Sequence, residues 1–211
     1  MEILKDISLQ LINGEAEIVN ELTKVAIAEN IYPKKILDEG LIAGMRVVGE
    51  KFKKHEIFLP EVLLAAKAMY AGMDLLKPLF IKDGIPTLGK IVIGTVQGDL
   101  HDLGKNLVGI MLKGAGFDVI DLGKDVSPEK FIETAVAENA GAIGMSALLT
   151  TTMTSMSTVV SMLSEKGLKG KIKTIIGGAP VTEEYAKSIG ADAYAFDAAN
   201  SVERVKKLLG V

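Results

Sequence analysis

The chain has 211 residues, 48% of them hydrophobic and 24% charged, the profile of an ordinary globular protein of one or two domains. A formal net charge of -3 with no dominant basic cluster argues against nucleic acid or an anionic membrane as a partner. The absence of cysteine excludes disulfides, thiolate nucleophiles and Cys-ligated zinc or iron–sulfur centres, and only His55 and His101 are available to any histidine metal site.

Met1-Glu2-Ile3-Leu4-Lys5-Asp6 lacks the basic start and apolar core of a signal peptide, and no apolar run approaches the length of a membrane span. A cytoplasmic location is expected. Residues 1–84 read as helices, punctuated by Asn13-Gly14, Asn30-Ile31-Tyr32-Pro33 and Phe58-Leu59-Pro60 into four segments. Pro33 and Pro60 suit first-turn positions, where a missing N–H costs nothing. The third segment carries an apolar stripe at Leu41, Met45, Val48 and Phe52, the fourth at Val62, Ala66, Met69, Met73 and Leu76. Four amphipathic helices with short connections predict a four-helix bundle.

The pattern changes at Asp83-Gly84-Ile85-Pro86-Thr87-Leu88-Gly89, where residues 85–89 read as a linker and Asp83–Gly89 as a hinge. Over 90–211 strands alternate with helices: Ile91–Thr95, Val119–Leu122, Ala142–Met145, Lys173–Ile176 and Ala193–Phe196 are the expected strands. Ser127-Pro128 reads as a helix cap and first residue, and Gly210 closes the last helix. The expected architecture is α/β: a helical cap followed by a flavodoxin-like (Rossmann-type) five-stranded parallel sheet of order 2-1-3-4-5. In that order the loops after strands 1 and 3 open side by side, where such folds take their ligands.

The first of those loops holds Asp99-Leu100-His101-Asp102-Leu103-Gly104. It offers one imidazole with a carboxylate two residues before it, the usual partner for the second nitrogen of a ligating histidine. Gly104 removes a side chain where the backbone turns tightly or something bulky approaches. A histidine in such a loop is more often a cap or a surface residue, so the weight falls on the rest of the chain. The loop after strand 3 is Ser146-Ala147-Leu148-Leu149-Thr150-Thr151-Thr152, and Gly177-Gly178-Ala179-Pro180 follows strand 4.

Asp99-x-His101-x-x-Gly104, then Ser146-x-Leu148, then Gly177-Gly178, resembles the cobalamin-binding signature of corrinoid proteins. The helical half, with Gly44-Met45, Phe58-Leu59-Pro60-Glu61 and Ala68-Met69, resembles the cap domain of the corrinoid methyl carriers, which are similar to the cobalamin module of methionine synthase. The resemblance implies cobalamin bound base-off/His-on, with His101 as lower axial ligand to cobalt. It implies that Asp99 bonds the other ring nitrogen and that Thr152 completes the relay, where several relatives carry serine. Asp102 and Gly104 join the cofactor-binding positions. Ser146, Leu148 and Thr150 would line the slot for the displaced nucleotide tail, with Gly177 and Gly178 admitting it against backbone. Met69, before Met45 and Met73, would face the upper corrin side, although methionine at helical spacing is more often core filling. His55 reads as solvated, and Tyr194 and Asp197 as strand-end residues near the tail.

The activity so implied is that of a methyl carrier in anaerobic one-carbon metabolism. Co(I) accepts a methyl group from a substrate:corrinoid methyltransferase, and methyl-Co(III) passes it to a methyl-acceptor methyltransferase serving tetrahydrofolate or coenzyme M. A reductive activator is the third partner. No acid, base or nucleophile constellation for substrate chemistry is visible, which fits a subunit that is not catalytic alone. The alternative is a cobalamin-dependent sensor or regulator, which usually adds a DNA-binding motif and a tryptophan over the corrin. This chain has no Trp and no basic recognition helix.

Overall fold

The amphipathic stripes of the N-terminal half become α1 (Glu2–Ile12), α2 (Ala16–Ala28), α3 (Pro33–Lys35), a π-helical stretch (Ile36–Ile42), α4 (Ala43–Lys53) and α5 (Leu59–Asp83). The computed structural model describes residues 2–83 and 87–211. Residues 84–86 of the expected hinge lie outside the described residues. What is described divides into two compact units, one made by these helices and the other by the sheet that follows.

Pro33 opens α3, and the chain then runs through the π-helical stretch into α4 as one continuous rod, so the expected four segments are present. Leu4, Ile7 and Leu11 of α1, Val19 and Ala26 of α2, and Leu41 are buried. Helix α1 crosses close to α4 because residue 44 is glycine: a Cβ there would stand 2.8 Å from the Ser8 carbonyl oxygen. Along α5 the stripe buries Val62, Ala66, Met69 and Leu76, and Met73 is half-buried. His55 is exposed, in the turn after α4. Among the described residues, no helix is long and apolar enough to cross a membrane.

The second unit alternates β1 (Lys90–Thr95), α6 (Leu103–Gly114), β2 (Asp118–Asp121), α7 (Pro128–Ala137), β3 (Ala142–Ser146), α8 (Thr154–Glu165), β4 (Lys173–Gly177), α9 (Glu183–Ile189), β5 (Ala193–Ala195) and α10 (Ala198–Leu209). The sheet is wholly parallel with order β2-β1-β3-β4-β5. Each strand has a boundary one residue off the sequence pattern: β1 starts one earlier, β2 lies one earlier at both ends, β3 and β4 run one further and β5 stops one short. Strand β2 starts at Asp118 because it pairs with Lys90, and β5 stops at Ala195, leaving Phe196 exposed. Strands β1, β3, β4 and β5 finish on one line, since Thr95 pairs with Ser146, Ser146 with Gly177 and Gly177 with Ala195. Four loops therefore leave the sheet at the same height.

The core beneath them is apolar and centred on the α7–α8 face: Val92, Ile143, Met145, Met156, Val159 and Leu163 pack around Phe131. Phe131 packs close against β1 because Gly94 has no Cβ, which would otherwise stand 2.7 Å from the ring. Ser127 caps α7 by accepting from the Lys130 N–H, and Gly210 ends α10 with φ +73°.

Candidate functional site

Asp99 leaves β1 on a short loop and turns its carboxylate inward, where it is fully buried. Burying a carboxylate is costly unless its oxygens are satisfied, and here five donors meet them. Oδ1 accepts from the His101 backbone N–H at 3.0 Å and contacts the His101 ring at Nδ1 at 2.8 Å. Oδ2 accepts from Leu148 N–H at 2.7 Å, Leu149 N–H at 3.1 Å and the Thr152 hydroxyl at 3.0 Å. Burial pushes the Asp99 carboxyl up, but the hydrogen bonds from His101, Leu148 and Leu149 outweigh it and hold the group well below the usual carboxylate range. Asp99 is thus an anion.

An anion at Nδ1 fixes the tautomer of the imidazole. Nδ1 carries the proton, and Nε2 keeps its lone pair. The His101 side chain is 53% exposed, so that lone pair is available to something outside the chain. Thr95, buried at the end of β1, donates its hydroxyl to the His101 carbonyl at 2.9 Å and so fixes the backbone as well as the ring.

Of the sequence-derived positions, Asp99, His101, Leu148 and Thr152 meet in this one hydrogen-bonded cluster. Leu148 enters it through its backbone, while its side chain is 43% exposed. Asp102 stands just before α6, where its carbonyl accepts from the Asn106 N–H. Ser146 ends β3 in the row of strand ends, its carbonyl accepting from Val96, and Thr150 is exposed further along the loop. Met69 belongs to α5 and takes no part in the cluster.

The glycines divide. Gly104 has no positive φ, and a Cβ placed on it would meet nothing within 4 Å. Neither a turn nor packing within the chain requires glycine there, and the space beside it is open. Gly177 and Gly178 have a reason inside the fold: a Cβ on Gly177 would stand 2.9 Å from the Ala195 carbonyl oxygen, and one on Gly178, at φ +129°, would overlap the Ala147 carbonyl oxygen. Asp197, read as a tail contact, caps α10 by accepting from the Asn200 N–H at 2.6 Å, and Tyr194 packs against the apolar core.

Two features escaped the sequence pattern. Lys105, the third residue of α6, is buried and donates to Asp121 Oδ2 at 2.5 Å and to Asn106 Oδ1 at 2.6 Å. A lysine in the first turn of a helix reads as solvated, and its partner lies on another strand. Asp125 donates its N–H to the Asp99 carbonyl and accepts from the Gly98 N–H. No local signal marks either contact.

The donor set fits a corrinoid. Among the described residues, no group of three or more His, Cys, Asp or Glu is placed to hold a metal ion. One imidazole with a free Nε2 supplies one ligand, which suits a metal already held equatorially by a macrocycle. Around it, Leu100, Leu103, Leu148 and Leu149 expose 63%, 62%, 43% and 42% of their surface, and Gly104 leaves space. That is an apolar seat for a flat, bulky group.

Residues 89–206 and 3–77 each match a family model described as a B12 binding domain. The chain is 44% identical over 209 residues to the dimethylamine corrinoid protein of Methanosarcina barkeri, covering 99% of this chain and 98% of that one. It is 41% identical over 213 residues to a corrinoid protein of Desulfitobacterium hafniense (strain Y51), covering 100% and 99%. Among solved structures it is similar to the methanol:cobalamin methyltransferase complex MtaBC from Methanosarcina barkeri, with a TM-score of 0.89, 31% identity, and 99% of this chain and 80% of that chain covered. Family models along both units, relatives above 40% identity end to end and a site shaped for a macrocyclic metal make this chain a member of the corrinoid protein family.

Proposed function

We propose that the protein is the corrinoid subunit of a cytoplasmic methyltransferase system, taking a methyl group from a substrate:corrinoid methyltransferase and delivering it to a methyl-acceptor methyltransferase. A reductive activator serves the same subunit. Similarity to a dimethylamine corrinoid protein and to a methanol:cobalamin methyltransferase complex supports the class of partner. The cobalamin, when bound, supplies the cobalt that carries the methyl group.

The observation that carries the reading is the imidazole: Nδ1 held by a buried anion at 2.8 Å, on a side chain that is 53% exposed. His101 would hold the cobalt of the cofactor through Nε2, with the cofactor's own base displaced. Asp99 keeps the proton on Nδ1 and makes the ring a better donor. Thr152 and the Leu148 and Leu149 amides hold the carboxylate still. Ser146, Leu148 and Thr150 would line the slot for the displaced tail, with Gly177 and Gly178 admitting it against backbone.

The test is the electron spin resonance spectrum of protein loaded with hydroxocobalamin and reduced to the Co(II) state. Nitrogen coupling that changes when the protein carries isotopically labelled histidine, and disappears in His101→Ala, is the expected result. Coupling insensitive to both would overturn the assignment. Carriage is tested by transfer of a radiolabelled methyl group from loaded protein to tetrahydrofolate or coenzyme M in the presence of the acceptor enzyme. No transfer to either would refute it.

A further inference from the structure

We propose that Asp125 is a positioning residue for the site: by gripping the Gly98–Asp99 backbone from the neighbouring loop, it aims the Asp99 carboxylate at its five donors and so sets the imidazole of His101. The inference rests on the reading of His101 as the axial ligand. Asp125 lies between β2 and α7 and is exposed, with nothing of its own to bury. Its φ is +55°, in the left-handed region where a residue with a side chain is uncommon. Such strain persists only where surrounding contacts impose it.

Two contacts do so, and both end on the His101 loop. The Asp125 N–H donates to the Asp99 carbonyl at 3.1 Å, and its Oδ1 accepts from the Gly98 N–H at 2.7 Å. One residue thereby holds the donor before and the acceptor after the same Cα–Cα step. The left-handed turn is what lets N–H and carboxylate point the same way. Next to it, Val126 N–H donates to the Thr95 carbonyl and Thr95 N–H to the Gly123 carbonyl, so the loop is bracketed from strand end to Asp99. Asp99 then has no freedom to drift, and it needs none to spare. Its carboxylate serves two loops at once over contacts of 2.7 to 3.1 Å, and ligand geometry tolerates only about half an ångström of error.

Side-chain length explains why an aspartate is suited here. A glycine would accept the backbone turn but offer no acceptor. A glutamate would carry its carboxylate one methylene past the Gly98 amide. An asparagine keeps an oxygen at the same reach.

The experiment compares Asp125→Gly, which keeps the backbone conformation and deletes the acceptor, with Asp125→Asn, which retains it. In apo protein, amide exchange at Gly98 should accelerate at least tenfold or so in Asp125→Gly, the change that goes with losing a hydrogen bond to a charged group. Exchange at Leu148 and Leu149 should accelerate with it. The ring-nitrogen shifts of His101 should move away from the Nδ1-protonated tautomer, and Asp125→Asn should return all three towards wild type. Loaded with hydroxocobalamin and reduced to Co(II), Asp125→Gly should show a smaller histidine-coordinated share of its spin resonance signal. Faster exchange confined to Gly98, with the His101 tautomer unchanged, would overturn the proposal by making the contact a local loop tie. If Asp125→Gly fails to fold, Asp125→Glu, with the carboxylate displaced, is judged by the same criteria. Absence of histidine coupling in the wild type would refute the axial reading instead, and the apo measurements would still decide the clamp.

Discussion

Replacing Asp99 by asparagine changes one atom and reverses the logic of five hydrogen bonds. The carboxylate accepts everywhere, whereas an amide must place an NH₂ at one of the two oxygen positions. At the Oδ2 position it would face the Leu148 and Leu149 amides, neither of which can turn away. At the Oδ1 position it faces the His101 N–H and an imidazole that can exchange its proton. The amide therefore settles with NH₂ towards His101, and the ring answers by accepting at Nδ1, which moves its proton to Nε2. The lone pair needed for axial ligation is lost. The His101 backbone N–H, in a part-buried position, loses its acceptor, at about 1–3 kcal/mol. Three bonds on the other side fall from charge-assisted to neutral strength, roughly half. Together the change should cost about 2–5 kcal/mol, a large part of a typical domain stability of about 5–15 kcal/mol. Urea denaturation of apo protein measures the first effect and ring-nitrogen NMR the second. The penalty also has a pH signature. The folded carboxyl titrates below its unfolded value of about 3.9, so wild type holds its advantage fully above about pH 5. The advantage shrinks as pH falls below about 4, because protons bind the unfolded carboxyl first. An asparagine variant within about 0.5 kcal/mol of wild type, still protonated at Nδ1, would refute the reasoning.

Gly178→Ala puts a Cβ against the Ala147 carbonyl oxygen at φ +129° and should cost more than about 2 kcal/mol, read as a clear drop in melting temperature; an unchanged melt would show that the loop after β4 relaxes freely. The Lys105–Asp121 pair should respond asymmetrically. Asp121→Ala strands a buried ammonium, at about 3 kcal/mol or more, whereas Lys105→Met leaves a 36% exposed carboxylate that water can solvate, at about 1 kcal/mol. Equal penalties in urea would mean that the lysine is not desolvated.

Much of this architecture was legible because period and punctuation agree. Alternating apolar runs and helical stripes give the sequence of elements, the doubly wound type that this sequence implies carries the strand order, and Ser127-Pro128 and Gly210 mark helix ends by chemistry that acts within a few residues. Asp99 and His101 were visible because they stand two apart. What stayed hidden depends on contacts between distant segments. Leu148 and Leu149 serve the site through backbone amides, which every residue but proline carries, so no side-chain signal reports them. Lys105 becomes a buried cation only once β1 and β2 have paired and brought Asp121 beside it. At Gly177 and Gly178 the fold's own carbonyls crowd the position, a packing reason that the sequence does not display. The π-helical stretch at Ile36–Ile42 left the apolar stripe continuous, so spacing alone gave no sign of the wider turn.

The Asp99 carboxylate has a last consequence, which concerns time. Its donors on the far loop stand 49 to 53 residues further along the chain, and they arrive only when β3 has taken its place beside β1. Until then the Asp99 carboxylate has only its local contacts with His101. The set of donors that satisfies the buried carboxylate is therefore complete only when β3 lies beside β1, so the geometry of the site is a property of the closed sheet and not of its loop alone.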